Sequence, residues 1–181
     1  MHLNDDYELI KKELMHCIAQ YDVLLMSGGV SMGKFDFLPQ VCEELKIEKL
    51  FHKIKQRPGK PFWFGKSENQ KLVFAFPGNP VSVFMCLHRY FIPWLEKSLQ
   101  IPQNTYQYAV LQEDIIFESA LQFFQQVKLE ISSEGVLVAT PVNTNGSGDF
   151  SHLAETNAFI ELPLDQNTFR KGEIFKVWRY K

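Results

Sequence analysis

The chain has 181 residues, 45% hydrophobic and 22% charged, with a net charge of −2. That length holds one large domain or two small ones, and the absence of a Lys/Arg block argues against a surface for nucleic-acid phosphates. No apolar run approaches the roughly 20 residues of a membrane span, and the polar, acidic start MHLNDDYELIKK is unlike a signal peptide.

Cys17, Cys42 and Cys86 are odd in number and widely spaced. They fit reduced, buried thiols in a cytoplasmic protein rather than a disulfide frame or a zinc site. Sixteen Phe residues predict an aromatic core.

In chain order, Leu9, Ile10, Leu14, Cys17 and Ile18 share one face of a helix over residues 7–20, with Asp5 and Asp6 where N-caps belong. Val23 to Met26 form a continuous apolar run, the pattern of a strand covered on both sides. Residues 37–46 read as a second helix, with Pro39 confined to its first turn, and residues 48–55 as a strand. PFWFG at 61–65 and KLVFAF at 71–76 flank the turn-like KSENQ and predict a hairpin. After PGNP a third helix begins, which Pro93 should kink or end. Alternating helix and strand make this half α/β. Past IPQNTYQ, five short β-like runs separated by SSEG, NTNGSGD and LDQN predict a small all-β sandwich or barrel, with the boundary near residue 103.

Four loops are candidates for chemistry. SGGVSMGKFDF at 27–37 follows an apolar strand, and a glycine-rich turn there presents backbone N–H groups to an anion. Asp36 would repel phosphate but suits Mg²⁺, which takes one or two carboxylates plus substrate oxygens; the same stretch also fits a tight turn with Asp36 as a helix-dipole partner. In RPGKP at 57–61 two prolines fix the backbone around Lys60, which either neutralises an anion or is simply solvated. In FPGNPVS at 76–82 Asn79 caps a helix, with Pro80 at its first position and Ser82 in its first turn, or the same N–H groups line a site. In NTNGSGDFSH at 143–152, Ser147 between two glycines either donates to an oxyanion or sits in a plain inter-strand loop. Crossover connections would gather the first three loops on one edge of a sheet.

Together and in this order, SGGVSMGKFDF, RPGKP, FPGNPVS and NGSGDFSHLAETNAFIEL closely resemble the molybdopterin molybdenumtransferases, the bacterial MoeA family and the gephyrin E domain. The resemblance runs from about residue 5 to 181. The related MogA-type adenylyltransferases share the α/β domain but word the glycine loop differently and lack the β module. The resemblance implies a partial MogA-like three-layer α/β domain over residues 1–102, without its N-terminal strands, and a β-barrel-like domain over 103–181. It implies a cytoplasmic homodimer, working with other enzymes of molybdenum-cofactor synthesis, that inserts molybdate into adenylylated molybdopterin and releases AMP with Mg²⁺ as cofactor. By motif, Ser27, Gly28, Gly29, Ser31 and Gly33 hold the pterin and its phosphates. Asp36 is a catalytic, metal- or pyrophosphate-site residue. Lys60 is catalytic beside the anion site, in a turn with Pro58 and Gly59. Pro77, Gly78, Asn79, Pro80 and Ser82 line the same cleft, and Ser147 helps to hold molybdate.

The chain also departs from the family pattern. It lacks the relatives' N-terminal half. Arg57 stands where relatives have lysine, a change of geometry as well as of side chain. Gln126 and Leu121 stand where relatives place arginines, leaving Lys128 as the nearby cation. Two other functions are therefore weighed: a fragment that binds molybdopterin without turnover, and a gephyrin-like interaction scaffold.

Overall fold

The computed structural model describes residues 1–31, 36–102, 107–142 and 151–181. In chain order the elements are α1 (Tyr7–Gln20), β1 (Val23–Ser27), α2 (Leu38–Glu44), β2 (Glu48–His52), β3 (Gln56–Arg57), β4 (Trp63–Lys66), β5 (Leu72–Phe76) and α3 (Pro80–Cys86). A π-helical turn (Leu87–Phe91) and α4 (Ile92–Ser98) follow without a break. Then come β6 (Gln107–Leu111), β7 (Ile115–Ile116), β8 (Gln122–Ile131), β9 (Leu137–Pro141), a 3-10 turn (Ser151–Leu153), β10 (Ala158–Leu162), β11 (Thr168–Phe169) and β12 (Ile174–Arg179). The chain packs as two compact units, Met1–Ile54 with Gly59–Val83, and Lys55–Pro58 with Phe84–Lys181.

The first unit is α/β. Its sheet has the order β1-β5-β4-β2; β1 and β5 run parallel and the other pairs antiparallel. Asp6 caps α1 by accepting from the Leu9 N–H at 2.8 Å, as the sequence predicts. The apolar face of α1 meets α2 and one side of the sheet, where Leu14, Leu24, Val41, Trp63 and Val73 form a buried cluster. Outside that cluster Glu44 of α2 binds both Tyr7 and Lys11 of α1. Strand alternation puts phenylalanines on the other side of the sheet. Phe64 meets Phe74 at 4.5 Å, and Phe62 stacks on Phe76 at 5.2 Å and 4°.

β1 departs from expectation. Its apolar run predicts cover on both sides, yet Leu25 is 47% exposed. Among the described residues β1 pairs with β5 alone, so it is an edge strand with one face packed on α1 and the other open.

The second unit is a closed five-stranded barrel, β8-β10-β12-β6-β9 and back to β8, which settles the choice between sandwich and barrel. All its pairs are antiparallel except β6 with β9. Ala109, Leu111, Val127, Leu129, Ile160 and Leu162 fill it. β3 adds to β8 in parallel. The helical stretch from Phe84 lies against the outer faces of β10 and β12. Phe84 packs on Tyr180 at 4.9 Å, and the Arg89 guanidinium lies 4.5 Å over the Trp178 ring and 3.7 Å from the Glu161 carboxylate. Pro93 does not end the helix. The Ile92 N–H reaches back five residues to the Leu87 carbonyl, and this wider turn accommodates a ring that would clash with an α-helical carbonyl.

Gly65 tests the sheet packing. A Cβ there would lie 2.4 Å from the Trp63 ring and 2.5 Å from the Glu48 carbonyl, whereas one at Gly78 meets nothing closer than 3.6 Å. Gly65→Ala should cost about 1–3 kcal/mol in urea unfolding, and Gly78→Ala much less; equal losses would contradict this packing.

His88 tests the helix–barrel contact. Burial holds its imidazole below the usual value, and it packs edge-on against Phe84 at 4.7 Å. The unfolded chain therefore takes up the proton first. This stabilisation is complete above about pH 6.5 and is lost as pH falls through the depressed folded value. His88→Gln should flatten the fall in urea midpoint between about pH 7 and pH 5; an unchanged slope would contradict the burial.

Candidate functional site

Register alone places three of the loops together. Ser27, the last residue of β1, pairs with Phe76, the last of β5. Trp63, the first residue of β4, pairs with Ala75, and His52, the last of β2, pairs with Trp63. The segments after β1, before β4 and after β5 therefore all leave the same end of the sheet. Crossover connections alone were expected to do this. In fact only β1 and β5 are parallel, and the antiparallel β2 and β4 bring the Lys60 segment to the rim.

Two loops touch through bare backbone. The Gly28 N–H donates to the Phe76 carbonyl at 3.0 Å, and a Cβ on Gly78 would stand 3.6 Å from the Gly28 Cα. Gly28 and Gly29 have φ of +90° and +70°, a region that L side chains rarely adopt. Val30 is 1% exposed and plugs into the cluster with Leu38 and Trp63, while its carbonyl lies 3.0 Å from His52 Nε2. Ser27 and Ser31 are exposed. Gly33 lies outside the described residues. Asp36 is half-buried and precedes α2 by two residues, so it is not in the helix's first turn, which carries no acidic residue.

The Lys60 segment is rigid. The Ile54 N–H donates to the Lys60 carbonyl at 2.9 Å, the Phe62 N–H to the Gly59 carbonyl at 3.1 Å, and Gly59 has φ +87°. Fully buried Phe62 anchors it while Lys60 is exposed. Pro58 follows a cis Arg57–Pro58 bond and belongs, with Arg57, to the second unit, where Arg57 lies over the Phe117 ring at 5.7 Å.

After Pro77 and Gly78, Asn79 caps the helix as predicted. Its Oδ1 accepts from the Ser82 N–H at 3.0 Å and the Ser82 hydroxyl at 3.2 Å, and Pro80 opens the helix. This oxygen is thus committed to the fold, and the nearly buried Ser82 serves the cap.

In the second unit, Gln126 is 5% exposed and its Oε1 accepts no hydrogen bond among the described residues. Leu121 packs on the barrel core, and Lys128 pairs with Glu130 at 2.6 Å. Ser147 lies outside the described residues. A concavity of about 600 Å³ lies at Ile116, Glu118, Ser119, Leu164, Asp165 and Thr168, but its two carboxylates would repel a phosphate. Cys17, Cys42 and Cys86 are unbridged, and burial pushes the Cys42 and Cys86 thiols up to about 12. Both are therefore poor nucleophiles.

A glycine-lined rim with an exposed lysine on an α/β sheet, followed by a small β-barrel, defines an α/β protein with an appended β module. Residues 1–97 match the family described as "Probable molybdopterin binding domain", and residues 108–180 match "MoeA C-terminal region (domain IV)". The chain belongs to this molybdopterin-binding, MoeA-type family. It is 38% identical to a molybdopterin molybdenumtransferase of Synechocystis sp., over 99% of this chain and 44% of that protein. It is 31% identical to the Bacillus subtilis molybdopterin molybdenumtransferase, over 97% and 41%. The chain thus spans less than half the length of these relatives. The crystal structure of the molybdopterin biosynthesis moeA protein from Pyrococcus horikoshii OT3 superposes with a TM-score of 0.72 at 29% identity, covering 98% of this chain and 40% of that one. No helix among the described residues is long and apolar enough to cross a membrane.

Asn79→Ala should lower stability by about 1 kcal/mol through the lost cap, and Asn79→Ser should recover most of it. Thermal unfolding checks this; an unchanged midpoint would show that the cap is not needed.

Proposed function

We propose that this chain supplies the molybdopterin-binding and β-module portion, residues 1–102 and 103–181, of an enzyme that inserts molybdate into adenylylated molybdopterin with release of AMP. The observation that carries the reading is the convergence of the Gly28, Lys60 and Gly78 segments on one sheet end. The names of its relatives supply molybdopterin and molybdenum, and the adenylyl group belongs to this proposal.

In this reading the amides after β1 and the Lys60 ammonium balance the charge of the pyrophosphate linkage, and the fixed loops hold it in place. Cleavage of the phosphoanhydride, with water as the incoming oxygen, frees AMP, and the two dithiolene thiols then bind molybdate as one of its oxygens leaves as water with their protons. Among the described residues no three metal-ligating side chains gather. That fits Mg²⁺ only where substrate phosphates supply most of the ligands, with Asp36 as the one carboxylate. Bound there, Mg²⁺ would withdraw charge from the bridging oxygen. Work in the cytoplasm, as a homodimer beside other enzymes of the pathway, belongs to the same proposal.

A molybdopterin-binding module without turnover is the second reading, in keeping with the match of residues 1–97 to the family described as "Probable molybdopterin binding domain". Titration with adenylylated molybdopterin and an assay for AMP separate the two: binding without AMP release supports the module. Asp36→Ala and Lys60→Ala should each lower AMP release, or binding where there is no turnover, about 10-fold or more. Parental values in both variants would sink the role assignment.

A further inference from the structure

We propose that His52 is a positioning residue that aims the Ser31 N–H at the ligand. The inference rests on the rim being an anion site. His52 ends β2, and its Nε2 lies 3.0 Å from the carbonyl oxygen of Val30, 22 residues earlier in the chain. A carbonyl oxygen only accepts, so Nε2 carries the proton and donates. The Val30–Ser31 peptide is planar and trans, so the Val30 C=O and the Ser31 N–H point in opposite directions. A carbonyl held by the imidazole therefore sets the direction of the next amide, away from His52.

The Gly28 N–H is used by the Phe76 carbonyl, and the Val30 side chain is locked in the core. The exposed Ser31 has no hydrogen-bond partner for its N–H among the described residues. Its amide is a donor that the turn can offer, and His52 fixes its aim. The ligand class is a phosphate or diphosphate, for which an aligned N–H is a charge-assisted donor.

The test uses the whole chain, ¹⁵N-labelled, with inorganic pyrophosphate as probe. Without ligand, the His52 ¹⁵N shifts should show a protonated Nε2, and His52→Ala should shift the Val30 and Ser31 amides and speed their hydrogen exchange. With pyrophosphate, the Ser31 amide should move on titration. His52→Ala should weaken binding about 10-fold, and His52→Gln, which keeps an N–H donor, should recover most of it. A bare Nε2, or unchanged Val30 and Ser31 amides in His52→Ala, overturns the role of His52 whatever the ligand does. Binding weakened by Lys60→Ala but not by His52→Ala also overturns it while leaving the anion site standing. No binding by the wild-type chain overturns the anion site, and the ligand-free arm then still decides whether His52 orients the turn.

Discussion

The rim depends on one short contact between main chains. The Gly28 N–H crosses to the Phe76 carbonyl at 3.0 Å just where the parallel pairing of β1 and β5 ends. Two strand ends are thereby tied before their loops diverge, and the backbone of Gly78 lies beside that of Gly28, where a Cβ on Gly78 would stand 3.6 Å from the Gly28 Cα. Everything else at the rim is built on this tie. The Phe62–Phe76 stack fixes where β4 begins, and the β4 start fixes the backbone that carries Lys60.

The tie also narrows the chemistry. A glycine-rich turn suggests a row of equivalent donors, but main-chain N–H groups are shared between fold and ligand. Gly28 spends its N–H on the sheet, Pro80 has none, and Ser82 gives its N–H to Asn79. What remains at the rim is fewer amides than the glycine count suggests. Fixed donors are the useful kind, since their orientation is settled before the ligand arrives.

Much of the scaffold was legible because it rests on local chemistry. Asp6 and Asn79 announce their caps through side chains that bond three residues ahead. The hairpin of β4 and β5 shows as two β-rich runs about a polar turn, and the glycine loops show as motifs. What stayed hidden depends on partners distant in sequence. The open face of β1 could not be read from VLLM, because apolarity does not say which neighbours are present. Pro93 permits a helix end or a π-turn, and only the seat of the helix on Trp178 and Tyr180 decides. His52 is a lone histidine at a strand end, and nothing in FHKIK points back 22 residues to Val30. Crossovers predict the rim, yet one of its three segments, that of Lys60, arrives by antiparallel pairing.

The two edges of the first sheet are guarded differently, and this bears on what can happen beside the rim. The β2 edge carries Glu48 and Lys49 and an irregular register around Leu50, devices that discourage further pairing. The β1 edge, Val23–Ser27, has no charge and no bulge, and its Leu25 is exposed. A strand adding to β1 would bond along its side, perpendicular to the strand axis. The rim lies at the strand's end. Pairing at this edge and ligand binding at the rim therefore draw on different main-chain groups, and the sheet can widen there without using up a donor that the turn after β1 offers.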